Sequence, residues 1–494
     1  MKLVAITRVL EQSYNKIDLE NALKTHSRIF IANNYDFLVK EGVSRMELEL
    51  SKAKSYTKET LVRLCAVPFA NKAIFLKFRE SLIPNVRKVF DALIWVDKMH
   101  QDEIKERLGV QVYIEEQKTH WNNYVTTTVL LIKDFQLFAT NLNTGWYNTK
   151  SEHILGLPLG LRRALVDYYE RPTTSNFIPL EITPTTTHIY TSGEKDILTE
   201  LSLLIAYSGQ GQIAVTGKGR PSLSTIGKMQ KKLNLQEFFP NSKDKPMKNL
   251  RSMLLAGLVV VLTQRQVQIN VAAMLKEGFF QHNYPNRFES LPIILHYIKG
   301  VGYLESSEIV PIENTMMQIL KSMPVGKWVS YENFDDYLRY NIIEIKPISE
   351  QIVANKLYFE YQDLDGRFYS DRHYIKTGSY RRAIVEPFIK GTMFMFAAFG
   401  LLDIAYDEAD TEILGKSAFS PYDKLKYIRL TPLGFYVTGN TTIYVPPKGI
   451  NGTEIKLSEN SLTMLIESND DASGALLEPY AERISPSRYQ TDFR

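Results

Sequence analysis

Two short helices followed by two β segments form the pattern that most restricts the fold of this chain. Residues 86–95 carry apolar side chains at helical spacing, which predicts a helix. A second helix is predicted over 101–109 and ends at a glycine. Apolar and polar residues then alternate over 124–131 and 135–140, which predicts a β-hairpin. This order of elements is typical of a winged-helix domain, a variant of the helix-turn-helix.

The same order recurs further along the chain. Apolar spacing predicts helices over 196–207, 222–233 and 250–262, with a short strand at 213–216 between the first two. The helix over 222–233 follows a turn rich in Gly, Lys, Arg and Pro and is the candidate recognition helix. These features predict a second winged-helix-like domain.

A third occurrence lies in the C-terminal half. Its predicted elements are, in order, a helix over 314–323, a strand at 328–330, helices over 332–339 and 383–399, and strands at 401–406 and 427–430. Ser330 is placed to accept the N-cap hydrogen bond of the second helix. The sequence therefore predicts a third domain of the same kind.

The predicted fold is mainly α with small β wings, an α+β protein built from tandem winged-helix domains. A length of 494 residues exceeds what one hydrophobic core holds, so several domains are expected. The predicted segments are an N-terminal helical region at 1–80, a winged-helix-like domain at 81–170, a basic winged-helix-like domain at 188–300, a third winged-helix-like domain at 310–445 and a small β/turn segment at 446–494.

Composition limits the class of protein. The hydrophobic fraction of 44% and the charged fraction of 23% are those of an ordinary globular protein. The longest apolar run, residues 253–262, is too short to span a membrane, and the N-terminus lacks the features of a secretory signal. With Cys65 as the single cysteine, no intramolecular disulfide can form. We expect a cytoplasmic protein with no membrane partner.

Positive charge is concentrated in one window of the chain. The whole chain has a net charge of +4, yet residues 215–251 alone carry about +7. The only acidic residues there are Glu237 and Asp244, and the basic ones are Lys218, Arg220, Lys228, Lys231, Lys232, Lys243, Lys245, Lys248 and Arg251. Such a window suits the phosphate backbone of a nucleic acid, while a solvated basic helix is the alternative.

The candidate nucleic-acid-binding residues come from two places. Those of the basic window are Lys218, Arg220, Ser222, Ser224, Lys228, Lys231 and Lys232, whose amino, guanidinium and hydroxyl groups can donate hydrogen bonds to phosphate. A second basic and aromatic patch around Tyr380 adds Arg381 and Arg382, since arginine and tyrosine can contact phosphates and stack on bases. Packing of this second patch on a neighbouring element is the alternative.

Catalytic and metal signatures are weak. Five residues separate Gly211 from Gly217, and Gly219 follows Lys218, so the turn lacks the spacing and the hydroxyl of a P-loop. The eight histidines show no i, i+4 pair that would suit zinc. Asp363–Gly366 begins like a calcium loop but lacks its closing Glu, and a hairpin turn explains it better. No ATPase activity, cofactor or bound metal is expected.

Two further motifs bear on catalytic chemistry. Asp335, Glu344 and Lys346 imitate the Asp…Glu-x-Lys set of metal-dependent nucleases, although Pro347 follows directly. Cys65 lies in an apolar helical context without a nearby histidine, which favours a packed core thiol over a nucleophile.

The acidic stretch over 403–412 would repel DNA and either faces solvent or meets a basic partner.

Three segments resemble the helicase-associated winged-helix region that precedes the motor in bacterial XPB-type DNA helicases. They are the strand–turn–helix over 213–233, the entry Pro-Val-Gly-Lys-Trp-Val-Ser at 324–330, and 400–407 followed by Arg-Leu-Thr-Pro-Leu-Gly-Phe-Tyr at 429–436. The resemblance covers about 197–445 and implies winged helices that bind nucleic acid or dock onto proteins. The motor's Walker A motif, acidic box and arginine-rich motif are missing from the sequence. The family's ATPase activity is therefore not implied.

The favoured function is a non-catalytic DNA-binding accessory protein with tandem winged helices, acting with a separate ATPase or nuclease subunit in DNA processing, repair or defence. A scaffold subunit that uses its winged helices only for protein docking is the first alternative, since this scaffold does not dictate nucleic-acid binding. A divergent metal-dependent nuclease is the second. An enzyme is the less favoured class.

Overall fold

The computed structural model of the chain is mainly α-helical with small antiparallel sheets, which confirms the coarse prediction of a mainly α fold with small β elements. The chain divides into two compact units, one formed by 1–175 with 336–344 and the other by 176–335 with 345–494. The residues that the structure describes are 2–119, 125–138, 153–181, 183–216, 221–263, 271–278, 290–359, 372–375, 379–407, 420–447, 455–457, 463–466, 482–485 and 488–490.

The first unit is built from ten helices among its described residues before 176. They are α1 (Lys2–Ser13), α2 (Lys16–Ala22), α3 (Arg28–Asn33), α4 (Tyr35–Lys40), α5 (Arg45–Glu49), α6 (Lys58–Ala66), α7 (Lys72–Ser81), α8 (Pro84–Trp95), α9 (Gln101–Leu108) and α10 (Leu159–Leu165). Phe69 lies at the centre of their core, with its ring centroid 5.7 Å from that of Phe78 and 6.4 Å from that of Phe90. Cys65 is buried in the same core, which confirms its interpretation as a packed thiol.

Four short strands accompany these helices. They are β1 (Lys98–His100), β2 (Tyr113–Thr119), β3 (Val125–Leu131) and β4 (Ile154–Gly156), and they pair as two antiparallel ribbons, β1 with β4 and β2 with β3. Helix α9 ends at Gly109, whose φ of 66° is the left-handed conformation expected of a glycine cap. The predicted helices over 86–95 and 101–109 are therefore confirmed as α8 and α9.

The predicted hairpin was assigned to the wrong pair of segments. Strand β3 confirms the first predicted segment, but its partner is β2 rather than 135–140. Residues Lys133–Phe138 form a 3₁₀ helix that buries Phe135. Residues 139 and 140 lie outside the described part of the chain. The alternation that suggested a strand reflects one aromatic side chain turned into the core.

The second unit contains most of the remaining elements. Its helices include α11 (Gly193–Gly209), α12 (Leu223–Lys232), α13 (Lys245–Lys248), α14 (Leu250–Thr263), α15 (Val271–Gly278), α16 (Leu291–Ile294), α17 (Glu313–Lys321), α18 (Tyr331–Tyr340, of which 336–340 belong to the first unit), α19 (Glu350–Lys356), α20 (Glu386–Ala398) and α21 (Pro432–Val437). Its strands include β5 (His188–Tyr190), β6 (Trp328–Ser330), β7 (Tyr358–Phe359), β8 (His373–Tyr374), β9 (Leu402–Tyr406), β10 (Leu425–Leu430), β11 (Ile455–Leu457), β12 (Thr463–Ile466), β13 (Glu482–Ser485) and β14 (Arg488–Gln490).

A four-stranded antiparallel sheet in the order β5-β9-β10-β6 organises this unit. In its register Ile428 faces Ile404 on β9 and Val329 on β6. Every residue of β9 is buried, and the ring of Phe394 on α20 lies 4.9 Å from that of Tyr406. The core of this unit therefore joins the sheet to α20.

Gly400 allows a close contact between α11 and the start of β9. Its φ of 72° is left-handed, and a Cβ atom placed there would lie 2.7 Å from the carbonyl oxygen of Gly193 and from the side chain of Ile197. Only glycine fits both the conformation and the space. This contact lies where the buried helix α20 ends and the chain turns into the sheet.

Candidate nucleic-acid interface

The candidate recognition helix exists and begins at the predicted residue. Ser222 is its N-cap, since the hydroxyl oxygen accepts a hydrogen bond from the backbone N–H of Thr225 at 3.4 Å. The predicted strand at 213–216 is reduced to a single antiparallel bridge between Val215 and Pro221. Helix α12 then runs over Leu223–Lys232. Ser222 therefore has a structural role as the N-cap. From the sequence, Ser222 was considered only as a phosphate contact.

Helix α12 has a buried face and an exposed face. Thr225, Ile226 and Met229 are buried, and the helix packs against α14. On the opposite side Ser224, Lys228 and Lys231 are exposed. Residues at spacings of four and three lie on one side of a helix. We call this set, Ser224, Lys228 and Lys231, the lysine strip.

The lysine strip carries uncompensated charge. Neither Lys228 nor Lys231 forms an ion pair with the carboxylates of the described residues. Lys231 lies in the last turn of the helix, where a cation is also stabilised by the helix dipole. Lys232 is exposed beside the strip, and its Nζ atom lies 5.8 Å from the centroid of the Tyr207 ring. Two lysines thus remain available to an anionic partner.

More positive charge surrounds α13. Lys243, Lys245 and Lys248 are all exposed, and α13 packs on α14 as α12 does. Asp244 in the same segment accepts a hydrogen bond from Nε2 of His296 at 2.7 Å. Lys218 and Arg220, the two predicted contacts in the turn before α12, lie outside the described residues.

Arg251 does not belong to the exposed basic surface. Its side chain is fully buried, and its guanidinium donates to Glu200 Oε2 at 2.6 Å and to the carbonyl oxygen of Gln236 at 3.3 Å. The guanidinium carbon also lies 5.7 Å from the centroid of the Tyr190 ring. The charge count of the sequence must be corrected here, because this arginine is neutralised inside the unit.

Glu237 ties the segment after α12 to the start of α14. Its carboxylate accepts hydrogen bonds from the backbone N–H groups of Arg251 at 2.9 Å and Ser252 at 3.1 Å, and from the Ser252 hydroxyl. Burial raises the pKa of Glu237 to about 7, although these hydrogen bonds oppose the shift. Arg251 and Glu237 together join the segment after α12 to α14, the helix against which α12 packs.

The second predicted patch is largely neutralised. Arg381 lies in a π-helical turn, Arg381–Val385, directly before α20. Its guanidinium donates to Asp335 Oδ1 at 2.6 Å and to Glu386 Oε1 at 3.1 Å. Arg382 is exposed and also makes contacts within the chain. An arginine held by two carboxylates offers less attraction to a phosphate than the lysine strip does.

The nuclease set does not come together on a strand pair. Asp335 lies within α18 and binds Arg381, whereas Glu344 follows that helix and binds Arg162. Among the described residues, no group of three or more His, Cys, Asp and Glu side chains is arranged to hold a metal ion. Asp363–Gly366, the candidate calcium loop, lies outside the described part of the chain.

The acidic stretch after α20 is not a uniformly exposed loop. Asp403 is buried in β9, where Oδ2 accepts a hydrogen bond from Nε of Arg429 at 2.8 Å. Asp407 accepts hydrogen bonds from the backbone and hydroxyl of Thr187 and pairs with Lys426 at 2.6 Å. The Lys426 ammonium and the Thr187 donors hold the pKa of Asp407 below its usual range. Residues 408–419 lie outside the described chain.

Gly227 lies beside the lysine strip and was not among the candidate residues named from the sequence. It lies three residues after Ser224 and four before Lys231, so it is on the same side of α12. A Cβ atom placed there would meet no atom of the described residues within 4 Å. The sequence alone could have pointed to Gly227, because a glycine inside a predicted helix is unusual and its spacing places it on the side that carries the lysines.

No protein-family model, curated protein or solved structure matches this chain. None of the helices in the described ranges combines the length and the apolar composition needed to cross a bilayer. The resemblance to helicase-associated winged helices stays a prediction.

Proposed function

We propose that this chain is a non-catalytic accessory protein that binds DNA through the lysine strip of α12. The observation that carries the proposal is the exposure of Lys228 and Lys231 on one side of a helix, with no carboxylate of the described residues paired to either. Two ammonium groups about one helical turn apart suit adjacent phosphates, and the Ser224 hydroxyl adds a donor. Lys232, Lys218 and Arg220 extend the proposed contact along the chain in both directions.

We further propose that the residues of the second unit within 313–430, which exclude 336–344 of the first unit, form a winged-helix module. Its described elements follow the order helix α17, strand β6, helix α18, helix α20, strand β9 and strand β10, with α19 inserted. Strand β10 pairs with both β6 and β9, as the last strand of a winged helix pairs with the first strand and with its hairpin partner.

In this proposed module the helix at the recognition position cannot enter a DNA groove. Helix α20 is buried along nearly its whole length, including Phe388, Phe394 and Phe396. A recognition helix must expose side chains to base edges. The module therefore serves as a scaffold in this proposal, and DNA contact is left to α12 on the same unit.

A separate ATPase or nuclease supplies the chemistry in this proposal. The chain offers DNA binding and a large folded surface, and its sequence carries none of the motor motifs. Its place of action would be the cytoplasm, where the single buried thiol of Cys65 stays reduced. DNA processing, repair and defence against foreign DNA are the processes in which we propose that this subunit acts.

The test is a binding titration of wild type and Lys228→Ala/Lys231→Ala on duplex DNA across a salt series. Both lysines are exposed, so their truncation should leave the fold intact. We expect the double variant to bind at least tenfold more weakly at low salt. The logarithmic salt dependence should become shallower by about 2, because each phosphate neutralised on duplex DNA contributes roughly 0.9.

Lys72→Ala/Lys88→Ala is the matched control, since it removes the same charge from exposed lysines of α7 and α8 in the first unit. It should keep both the affinity and the salt slope of wild type. Equal losses in the two double variants would mean that net charge alone matters. Unchanged binding in the α12 variant would contradict the proposal and favour protein docking.

A further inference from the structure

The exposed side of α12 has a composition suited to a backbone rather than to bases. Its exposed side chains, with Leu223 at one end and Lys232 at the other, include no aromatic residue and no Arg, Asn or Gln. Gln230 of this helix is half-buried, and its amide donates to the carbonyl oxygen of Leu235. Aromatic rings are what single-strand binders use to stack on bases. Arg, Asn and Gln recognise bases in the major groove of DNA by forming two hydrogen bonds to one base. Lysine and serine are among the side chains that make the phosphate contacts of protein–DNA interfaces, and those contacts carry no sequence information directly.

Among the described residues, nothing explains Gly227 by packing. It lies in the interior of α12, where glycine is about 1 kcal/mol less favourable than alanine. The space where its Cβ would be is open as far as the described residues go, so none of them requires the side chain to be missing. A glycine with open space on an exposed helix side lets the helix backbone approach a partner closely. The partner implied by the flanking lysines is an anion.

We infer that α12 lies across the phosphate backbone of double-stranded DNA, with Gly227 at the point of closest approach and Lys228 and Lys231 on adjacent phosphates. This inference rests on the proposed function and adds the kind of DNA and the mode of contact. The helix then binds all duplex sequences alike, because a phosphate strand carries no sequence information directly. A side chain at position 227 would hold the helix away from the strand and weaken the flanking contacts together.

The experiment compares wild type, Gly227→Ala and Gly227→Leu on two unrelated duplexes and on single strands of the same length. Both substitutions favour the helix, so thermal unfolding should occur at the same or a slightly higher temperature. We expect an affinity loss of about threefold for Ala and at least tenfold for Leu, equal on the two duplexes. The loss on single strands should be smaller, because a flexible strand can move around the new side chain.

Gly302→Leu is the matched control. A Cβ atom at Gly302 also meets nothing within 4 Å, and this glycine belongs to the same unit outside α12. The control should bind DNA as wild type does. An equal loss in Gly302→Leu would show that leucine on an open glycine acts through a general effect, which would overturn the inference.

The inference and the proposed function fail in different ways. If Lys228→Ala/Lys231→Ala weakens binding but Gly227→Leu does not, DNA binding stands and the close approach at Gly227 is wrong. A loss that differs strongly between the two duplexes would also overturn it, as would tighter binding of wild type to single strands than to duplexes. If the lysine variant binds as wild type, the proposed function itself fails.

Discussion

Asp403 shows how a single buried carboxylate sets a pH dependence. Its Oδ2 atom binds Arg429, whereas Oδ1 is buried without a hydrogen-bond partner among the described residues. Arg429 is in turn held 4.6 Å from the centroid of the Trp328 ring. Burial raises the pKa of Asp403 from 3.8 to about 6, although Arg429 acts in the opposite direction. The ionised form is therefore less favourable in the folded chain than in the unfolded one.

This shift predicts that the free energy of unfolding falls as pH rises. Because the folded pKa lies above the unfolded one, the contribution is fully present below about pH 4 and is lost as pH rises through 6. The change amounts to about 3 kcal/mol, since each pKa unit corresponds to about 1.4 kcal/mol. Asp403→Asn should remove it, which denaturant unfolding at a series of pH values between 4 and 7.5 would measure. Curves that stay parallel for wild type and variant would contradict this, and Asp102→Asn, at an exposed carboxylate, is the control.

At the scale of elements, regular periodicity was enough to place several of the longer helices. The spacing of apolar residues predicted α8, α9, α11, α12, α14 and α20 within a few residues, and Ser330 caps α18 as predicted. Strand β2 was missed because Tyr113–Thr119 is mainly polar and shows little apolar alternation. The pairing with β3 stabilises β2, and a strand that depends on its partner in this way is hard to recognise from its own sequence.

The charge of a window could be counted from the sequence, but its exposure could not. Arg251 looks like any other basic residue of the window. Its carboxylate partner Glu200 lies 51 positions earlier and meets it only because α11 and α14 pack together. Arg381 is similar, since Asp335 is 46 positions away. The lysine strip could be predicted because its spacing is local to one helix, and the two arginines could not because their partners are distant.

The N-cap of α12 gives a prediction at the element scale. Ser222→Ala should destabilise the second unit by about 1 kcal/mol, because the N–H of Thr225 loses its acceptor. Ser222→Asp should keep the stability, since aspartate caps a helix equally well, but its negative charge near the lysine strip should weaken DNA binding severalfold. Denaturant unfolding and a binding titration on the same three proteins separate the two effects. Full stability in the alanine variant would show that the cap is not needed.

At the scale of the whole molecule, the chain returns to complete its first unit. Residues 336–344 belong to the unit that 1–175 begins. Within this unit the buried guanidinium of Arg162 donates to Glu344 Oε1 at 2.8 Å and to the carbonyl oxygen of Ile94 at 3.1 Å. The ring of Tyr340 meets that of Trp95 with centroids 5.2 Å apart. The first unit is therefore discontinuous in sequence, and no composition change marks the returning segment.

Arg162 and Glu344 give the corresponding prediction. Glu344→Ala should lower the unfolding free energy of the first unit by roughly 2–3 kcal/mol, because the buried guanidinium of Arg162 loses the nearer of its two carboxylate partners. Glu80→Ala, an exposed glutamate on α7 in the same unit, is the control and should change stability by less than about 0.5 kcal/mol. The double variant Arg162→Met/Glu344→Leu should recover part of the loss, since an apolar pair of similar volume removes the buried guanidinium. Asp97 loses this cation, but its side chain is 35% exposed and stays in contact with water. Denaturant unfolding of all four proteins measures these differences. If Glu344→Ala unfolds like the control, the returning segment contributes no stability through this ion pair, and its contribution is left to contacts such as that of Tyr340 with Trp95.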